Sequence, residues 1–306
     1  MFILEKKFAF IAKYICRLHG GSQPLLVQAS DGQMYVAKFR DNLQGPNLPF
    51  NESIGSELYC CCNLPVPLWK PLRVTDAFLD GNPASWFETP EGRRRPESGL
   101  CFGSRFLGGE GSRLLEILPR TSFKRVRTHE KFWLAWLVDI CACHADNRQA
   151  LFLEDSQGWL NPFFVDHGHM FGGPNGGVGK QFQSSRYLDS RIYESVSSQY
   201  LVNLVNIAAA IPADNLWREA MALPDEWKSG TALKGLADCL ERLSTPRLLR
   251  NILETMVDAH RRTNGFESSE TQTGRGFPPV VLRPGVQAGW LGQRNLAHYA
   301  DHPACA

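Results

Sequence analysis

The spacing of apolar residues predicts mainly β-strands in the first half of the chain. An Asp-Gly turn beginning at Asp31 separates two apolar runs, a pattern that is typical of a β-hairpin. The expected strands of this hairpin are residues 25–29 and 34–39. Before them, residues 6–18 are predicted to form a helix, which the following His19-Gly20-Gly21 stops. The hairpin is therefore expected to follow an N-terminal helix.

The second half of the chain changes to helical periodicity. A single helix, over about residues 51–63, is expected within the strand-rich half, and prolines end it. From about Val126 apolar residues recur at helical spacing, interrupted by two predicted strands over 150–154 and 161–166. Amphipathic helices are expected from there to about His260. This order of elements predicts an α+β, two-lobed, protein-kinase-like fold.

The predicted domain boundaries follow from these changes in pattern. Residues 1–125 are expected to form a β-rich N-lobe, and residues 126–262 a mostly helical C-lobe. Residues 263–306 lose the apolar periodicity and are rich in Ser, Thr, Gly and Pro. This tail is therefore predicted to be poorly ordered.

Charge and cysteine usage exclude several classes of protein. The chain has 33 Lys+Arg against 31 Asp+Glu, which is too balanced for a dedicated nucleic-acid-binding or membrane-surface protein. It has no run of about 18 apolar residues, and charges interrupt the apolar N-terminal stretch that a signal peptide would need. Nine cysteines, three of them consecutive at Cys60–Cys62, suit neither a disulfide framework nor a zinc site. We expect a reduced, cytoplasmic protein without nucleic-acid or membrane partners.

Two features near the hairpin are suited to binding phosphate. The small residues of Gly20–Gln23 precede it, and such a loop lets backbone N–H groups approach phosphate oxygens. Lys38 ends the second apolar run, and a lysine facing an apolar interior needs an anionic partner. Each feature alone also fits a plain structural role, as a helix C-cap for the glycines and an exposed edge-strand position for the lysine.

Two aspartates lie where a phosphotransferase would need them. Asp146 lies in a polar run between a predicted helix and a predicted strand, where a kinase has the aspartate that orients the attacking hydroxyl. Asp166 ends an apolar strand and is followed by His167 and Gly168, the setting in which an Asp-x-Gly motif binds the metal that bridges the phosphates. Either residue alone fits an ordinary turn or strand end. Their order along the chain, after the small-residue loop and Lys38, favours phosphoryl transfer.

A second Gly-rich segment, Gly172–Lys180, resembles a P-loop by eye. Pro174 occupies the position of the first required glycine, and Gln181 that of the Ser or Thr that binds magnesium. We interpret this segment as a flexible loop.

Taken together, these motifs resemble the HipA-like kinases, relatives of the bacterial toxin kinase HipA and more distantly of phosphatidylinositol kinases. The resemblance covers about residues 10–260. The motifs that carry it are Gly20-Gly21-Ser22-Gln23, Tyr35-Val36-Ala37-Lys38-Phe39, Asn42-Leu43-Gln44-Gly45, Asn51-Glu52, Leu64-Pro65-Val66-Pro67, Cys101-Phe102-Gly103-Ser104, Asp146-Asn147-Arg148-Gln149, Asp166-His167-Gly168 and Pro224-Asp225-Glu226-Trp227.

The resemblance implies an ATP-dependent phosphotransferase, and most closely a serine/threonine protein kinase with an unidentified protein or small-molecule phosphoacceptor. It implies that the Gly20–Gln23 loop covers the phosphates of ATP, that Lys38 contacts them and that Glu52 orients Lys38. It further implies that Asp146 is the catalytic aspartate and that Asp166 is the principal Mg²⁺ ligand.

The chain departs from the family pattern at two positions. His144 stands where related sequences carry an asparagine, and the second and more serious departure concerns the metal site. The family has an asparagine five residues after the catalytic aspartate as second metal ligand, and Leu151 stands there. We predict that the side-chain amide of Gln149 supplies the missing oxygen, with Asn147 as the next candidate. Because of this departure, a nucleotide-binding pseudokinase that acts as an interaction module is the alternative function. No residue excludes a small-molecule or lipid kinase.

Overall fold

The computed structural model describes residues 8–109, 113–177, 185–193 and 196–263. The strands in these ranges are β1 (Ala9–Arg17), β2 (Leu25–Ala29), β3 (Met34–Lys38), β4 (Trp69–Val74), β5 (Phe87–Thr89), β6 (Gly92–Arg94), β7 (Gly99–Arg105), β8 (Arg113–Leu115), β9 (Gln149–Glu154) and β10 (Leu160–Val165). The α-helices are α1 (Leu48–Cys61), α2 (Asp76–Gly81), α3 (Lys131–Cys141), α4 (Ser198–Ala209), α5 (Ala213–Met221), α6 (Gly230–Leu243) and α7 (Pro246–Thr263). Nearly all of the predicted tail, residues 264–306, lies outside the described residues.

Five strands of the first half close into a barrel in the order β1-β2-β3-β7-β4. β2 and β3 are the predicted hairpin, in which Leu25 lies opposite Ala37 and Gln28 opposite Met34. The hairpin is therefore confirmed. β3 also pairs with β7, so it has a neighbouring strand on each side. Lys38 therefore does not lie on an edge strand, and the exposed edge-strand position considered for it is wrong. The barrel encloses its own apolar core, which includes Leu25, Val27, Tyr35, Ala37, Leu72 and Val74.

The N-terminal segment is a strand, so the prediction of a helix over residues 6–18 is wrong. Burial alternates along the start of β1, with Ala9 and Ile11 buried and Phe10 exposed, which is the period of a strand. β1 pairs antiparallel with β2 and parallel with β4. Pairing with β2 and β4 decides the conformation here, because strand preference depends on neighbours more than on the local pattern.

Helix α1 begins before the predicted start at Asn51. Pro49 lies in its first turn, where the missing N–H of proline breaks no helical hydrogen bond. Asn51 lies within the helix and not at its start. Its side chain is buried, and its Nδ2 donates a hydrogen bond to the carbonyl oxygen of Gly168 at 2.8 Å. The first turns of α1 are therefore attached to the segment that follows β10.

Three strands form an antiparallel sheet in the order β10-β9-β8. The strands predicted over 150–154 and 161–166 are confirmed as β9 and β10, within one residue at each end. Gln149, the first residue of β9, lies opposite Val165, the last residue of β10. This register brings Gln149 next to Asp166, because Asp166 directly follows Val165.

Apart from this sheet, the described chain after Val126 is mostly helical. Residues Phe132–Cys141 of α3 are all buried, and they share one large apolar core with α1 and with α4, α5, α6 and α7. A β-rich first half and a helix-rich second half give the mixed helix and strand content that the α+β prediction expects. No helix in the described ranges has the length and apolar character needed to span a membrane.

Candidate active site

A cleft of about 1110 Å³ is lined by residues of the barrel, of α1 and of the strands β9 and β10. Every predicted site residue except Gln23 lines it, namely Gly20, Gly21, Ser22, Lys38, Glu52, Asp146, Gln149 and Asp166. Asn147 and Leu151 line it as well. The fold thus gathers residues from both halves of the chain around one cavity.

Lys38 is the centre of a buried charge cluster in this cleft. Its Nζ donates hydrogen bonds to Oε1 of Glu52 and, at 2.8 Å, to Oδ1 of Asp166. Burial alone would favour the neutral amine, but the charges of Asp166 and Glu52 outweigh it and raise the pKa of Lys38 above its usual value. Lys38 is therefore a fixed cation that faces the cleft from the end of β3.

Glu52 links Lys38 to the segment after β10. Glu52 is 2% exposed, and its Oε2 accepts a hydrogen bond from the backbone N–H of His167 at 3.1 Å. Burial raises the pKa of Glu52, Lys38 opposes this rise and Asp166 adds to it. Glu52 therefore orients Lys38 with one oxygen and positions the backbone beside Asp166 with the other.

The close approach of α1 to this segment depends on Gly55. A Cβ atom at Gly55 would lie 2.5 Å from the Cβ of His167 and 2.7 Å from the Sδ of Met170. A larger residue would push α1 away from the segment, and Glu52 would move with it. The glycine therefore permits the contact that brings Glu52 to Lys38.

Asp166 occupies the turn at the end of β10 in a left-handed conformation, with φ of +63°. Its Oδ1 accepts from Lys38, and its Oδ2 accepts from Nε2 of Gln149 at 2.8 Å. Burial raises the pKa of Asp166, but the charge and hydrogen bond of Lys38 outweigh this effect, and the net pKa lies well below the usual value. Asp166 is therefore ionised at neutral pH.

Asp146 reaches the cleft from the loop between α3 and β9, and Gln149 reaches it from the first position of β9. Oδ1 of Asp146 accepts a hydrogen bond from the backbone N–H of Asn147 at 2.7 Å, which fixes the carboxylate within its own turn. Gln149 is exposed and contacts Asp166, whereas Leu151 lies further along β9, opposite Phe163. The side chain of Leu151 has no oxygen to offer to a metal.

A buried arginine behind this loop was missed by the sequence analysis as a separate functional element. Nε and Nη2 of Arg148 donate to the two carboxylate oxygens of Asp139 at 2.8 and 2.7 Å. The hydroxyl of Tyr59 donates to the same carboxylate at 2.7 Å, and the guanidinium lies over the Tyr59 ring. Asp139 is the only acidic residue in the apolar helix α3. A single carboxylate on such a helix indicates that it has a buried partner.

Arg148 also holds the backbone of the turn at Asp166. Its Nη1 donates to the carbonyl oxygen of Val165 at 2.8 Å and lies 3.4 Å from that of Asp166. Nε2 of His144 lies 3.3 Å from the Asp166 carbonyl oxygen as well. Burial and the charge of Arg148 lower the pKa of His144 to about 4, so its ring is neutral at physiological pH.

The Gly20–Gln23 loop begins with Gly20 at a φ of +133°, a conformation that favours glycine. Gln23 differs from the other three residues, because its side chain points away from the cleft. Its Oε1 accepts from the backbone N–H of Glu88 at 2.8 Å, and its Nε2 donates to the Glu88 carbonyl at 2.7 Å. Gln23 therefore anchors the loop to β5, whereas Gly20, Gly21 and Ser22 face the cavity.

The donor set of the cleft fits a magnesium ion bound together with a nucleotide. Among the described residues no three His, Cys, Asp or Glu side chains form a metal site on their own. Magnesium needs only one or two protein oxygens when substrate phosphates and water complete its coordination. Asp146 and Asp166 provide carboxylates, Gln149 provides an amide, and Lys38 provides a cation for phosphate.

No family model matches the chain, and no curated protein matches it. It has a weak similarity to a solved structure described as the crystal structure of the Golgi casein kinase, with 13% identity and a TM-score of 0.38 over 86% of this chain and 73% of that one. A structure described as the Golgi casein kinase with Mn/ADP bound has 14% identity and a TM-score of 0.39 over 83% and 74% of the two chains. These comparisons establish no family, and the HipA-like resemblance stays a prediction.

Proposed function

We propose that the chain is an ATP-dependent phosphotransferase. The observation that carries the proposal is the pairing of Lys38 with both Glu52 and Asp166 inside one large cleft. A buried lysine bonded to a helix glutamate and to the aspartate after a strand is the arrangement that positions nucleotide phosphates in kinases. Asp146 lies in the same cleft, which provides a carboxylate for the acceptor.

Each residue has one role in the proposed reaction. The backbone of Gly20–Ser22 contacts the phosphates, and Lys38 neutralises part of their charge. Asp146 orients the acceptor hydroxyl and takes its proton as the hydroxyl oxygen attacks the γ-phosphorus. The bond from the γ-phosphorus to the β–γ bridging oxygen breaks, and ADP leaves. Asp166 and Gln149 would hold Mg²⁺, which would neutralise charge at the phosphates when bound.

We propose further that the acceptor is a Ser or Thr hydroxyl of a protein, as the HipA-like resemblance implies. The support for this finer assignment is the order of motifs along the chain from Gly20 to Asp166. A small-molecule or lipid acceptor would use the same Asp146 chemistry, so the acceptor is identified by which substrate takes up the phosphoryl group.

A nucleotide-binding pseudokinase is the second candidate. It is favoured by two observations at the metal site, namely the apolar Leu151 and the hydrogen bond from Nε2 of Gln149 to Asp166. In that arrangement the amide nitrogen, which cannot bind a metal, faces Asp166. The chain would then bind nucleotide and transfer no phosphoryl group.

The test is phosphoryl transfer from ATP labelled at the γ-phosphate, with Mg²⁺, to the protein itself and to generic Ser/Thr substrates. We expect ADP formation and label incorporation in the wild type. Asp146→Asn should lose about a hundredfold or more of the rate, as the loss of a general base does. Asp166→Ala should lose the activity as well.

Asp258→Ala is the matched control, because this aspartate lies exposed on α7, outside the cleft. Transfer that survives unchanged in Asp166→Ala would contradict the proposed function. Wild-type protein that binds ATP without forming ADP would support the pseudokinase instead.

A further inference from the structure

The loop of residues 41–47, which joins β3 to α1, places Gln44 at the cleft beside Gly21. Gln44 lines the cavity, and a Cβ atom at Gly21 would lie only 2.9 Å from its Nε2. The amide of Gln44 thus fills the space that a side chain at Gly21 would take. Its Oε1 is buried and has no hydrogen-bond partner among the described residues. The buried Oε1 can only accept a hydrogen bond, so Nε2 is the atom that offers a donor beside the predicted phosphate loop.

The near side of this loop is tied to the Gly20–Ser22 backbone. Asn42 is 6% exposed, and its Nδ2 donates to the carbonyl oxygen of Ser22 at 2.8 Å. Its Oδ1 accepts from the backbone N–H of Gln44 at 3.1 Å. One asparagine side chain therefore fixes the distance between the phosphate loop and Gln44.

The far side of the loop is held by the Gly-rich segment after Asp166. Nδ2 of Asn175 donates to the carbonyl oxygen of Gln44 at 2.7 Å, and the backbone N–H of Asn47 donates to that of Pro174 at 2.9 Å. Gly45 has a φ of +148°, and a Cβ there would lie 2.4 Å from the Pro174 oxygen. The described part of this segment is thus a packed turn, which differs from the flexible loop expected from its sequence.

We propose that Gln44 is a nucleotide-binding residue that donates its side-chain amide to a phosphate oxygen beside Gly21. The assignment rests on the proposed ATP site. A neutral amide on a loop fixed at both ends adds a directed donor next to the backbone N–H groups of Gly21 and Ser22. It does so at a point that Lys38, at the end of β3, does not occupy. Hydrogen bonds to charged acceptors are the stronger kind, so one such donor has a measurable effect.

The test compares Gln44→Met, which keeps the length of the side chain without its donor, with Gln44→Glu, which adds a negative charge. MgADP and adenosine are titrated separately by calorimetry, and the melting temperature is measured without ligand. We expect Gln44→Met to weaken MgADP binding by about tenfold to a hundredfold. Gln44→Glu should weaken it more, and both variants should bind adenosine as the wild type does and melt at the wild-type temperature.

Gln28→Met and Gln28→Glu are the controls, because Gln28 lies on the same barrel and does not line the cleft. An equal loss of MgADP and adenosine affinity would overturn the proposal, because it would show that Gln44 only supports the shape of the site. Unchanged MgADP affinity in both Gln44 variants, with normal binding by the wild type, would overturn it while leaving the proposed function intact. A wild type that binds neither ligand would overturn the proposed function and this inference together.

Discussion

Asp166 is held from two sides, and the two sides differ in what surrounds them. On the cleft side, Lys38 contacts the Asp166 carboxylate, whose side chain is 23% exposed. On the core side, Arg148 contacts the backbone carbonyl of Val165, and the Arg148 side chain is only 1% exposed. Lys38 therefore sets the charge state of the carboxylate, while Arg148 sets the position of the turn that carries it.

The same difference decides what each contact contributes to stability and to binding. Arg148 and Asp139 are enclosed, so removing one leaves the other charged without water to replace its partner. Lys38 borders an open cleft, where water can reach the Asp166 carboxylate that it would leave behind. We therefore expect Arg148 to matter most for folding and Lys38 most for nucleotide binding.

The largest expected effect is that of Arg148→Met. The substitution strands the Asp139 carboxylate in the core and removes the donor to Val165, and breaking a buried ion pair in this way costs about 3–5 kcal/mol. Urea unfolding of the purified variant measures this change in the free energy of unfolding.

The double substitution Asp139→Leu with Arg148→Met distinguishes the effect of the unpaired Asp139 charge from the effect of losing the Arg148 contact to the turn. Replacing both members of a buried pair by apolar residues is often close to neutral, so stability should largely return. Nucleotide binding in the presence of Mg²⁺ should stay weak, because the carbonyl of Val165 still lacks its hydrogen bond from Arg148. A stable single Arg148→Met variant would remove the distinction between the two sides.

Lys38→Ala should have the reverse profile. A ligand at a hundred times its Kd stabilises the folded state by about 2.7 kcal/mol, and the variant should lose most of this MgATP-dependent stabilisation. The protein without ligand should remain folded. Melting curves with and without MgATP measure both quantities, and Lys70→Ala on β4 is the control. A full MgATP shift in Lys38→Ala, or unfolding of the variant without ligand, would contradict the role given to Lys38.

Gly55→Ala tests the contact of α1 that both sides share. The new methyl group would overlap His167, so α1 or the turn must shift, at a cost of about 1–3 kcal/mol. We expect lower stability together with weaker nucleotide binding, because Glu52 moves with α1. Gly81→Ala is the control, since nothing lies within 4 Å of a Cβ atom at the end of α2. If Gly55→Ala were as stable as the wild type, the segment after β10 would be able to shift away from the new methyl group without loss of stability.

The cleft side of this comparison was predictable from sequence, whereas on the core side the sequence indicates a buried partner for Asp139 without identifying it. Lys38 and Asp166 each end an apolar strand, and such short-range patterns survive folding because the strand itself fixes where the side chain emerges. The pairing of Arg148 with Asp139 depends on how the chain turns back after α3, which no local pattern encodes. The same limit explains β1, whose partners β2 and β4 lie further along the chain and override its local helical character.

The smallest expected effect is that of Gln149→Ala, which tests whether the cleft side contains a second metal ligand. Gln149 now donates its Nε2 to Oδ2 of Asp166, so binding a metal through its oxygen requires the amide to turn over. This rotation costs little for an exposed side chain, and the lost hydrogen bond is replaced by coordination. Because phosphate and water supply most of the Mg²⁺ ligands, we expect the apparent Mg²⁺ affinity to fall only several-fold, or by about 1 kcal/mol. Nucleotide binding without metal should change less. Binding of MgADP to the protein, measured at increasing Mg²⁺, gives the size of the effect, with the exposed Gln199→Ala on α4 as control.

Gln149→Glu should still bind the metal with an altered Mg²⁺ dependence, because it retains an oxygen donor and adds a charge. Identical titration curves for Gln149→Ala and the wild type would remove Gln149 from the metal site and leave Asn147, which lines the same cleft, as the residue to substitute next.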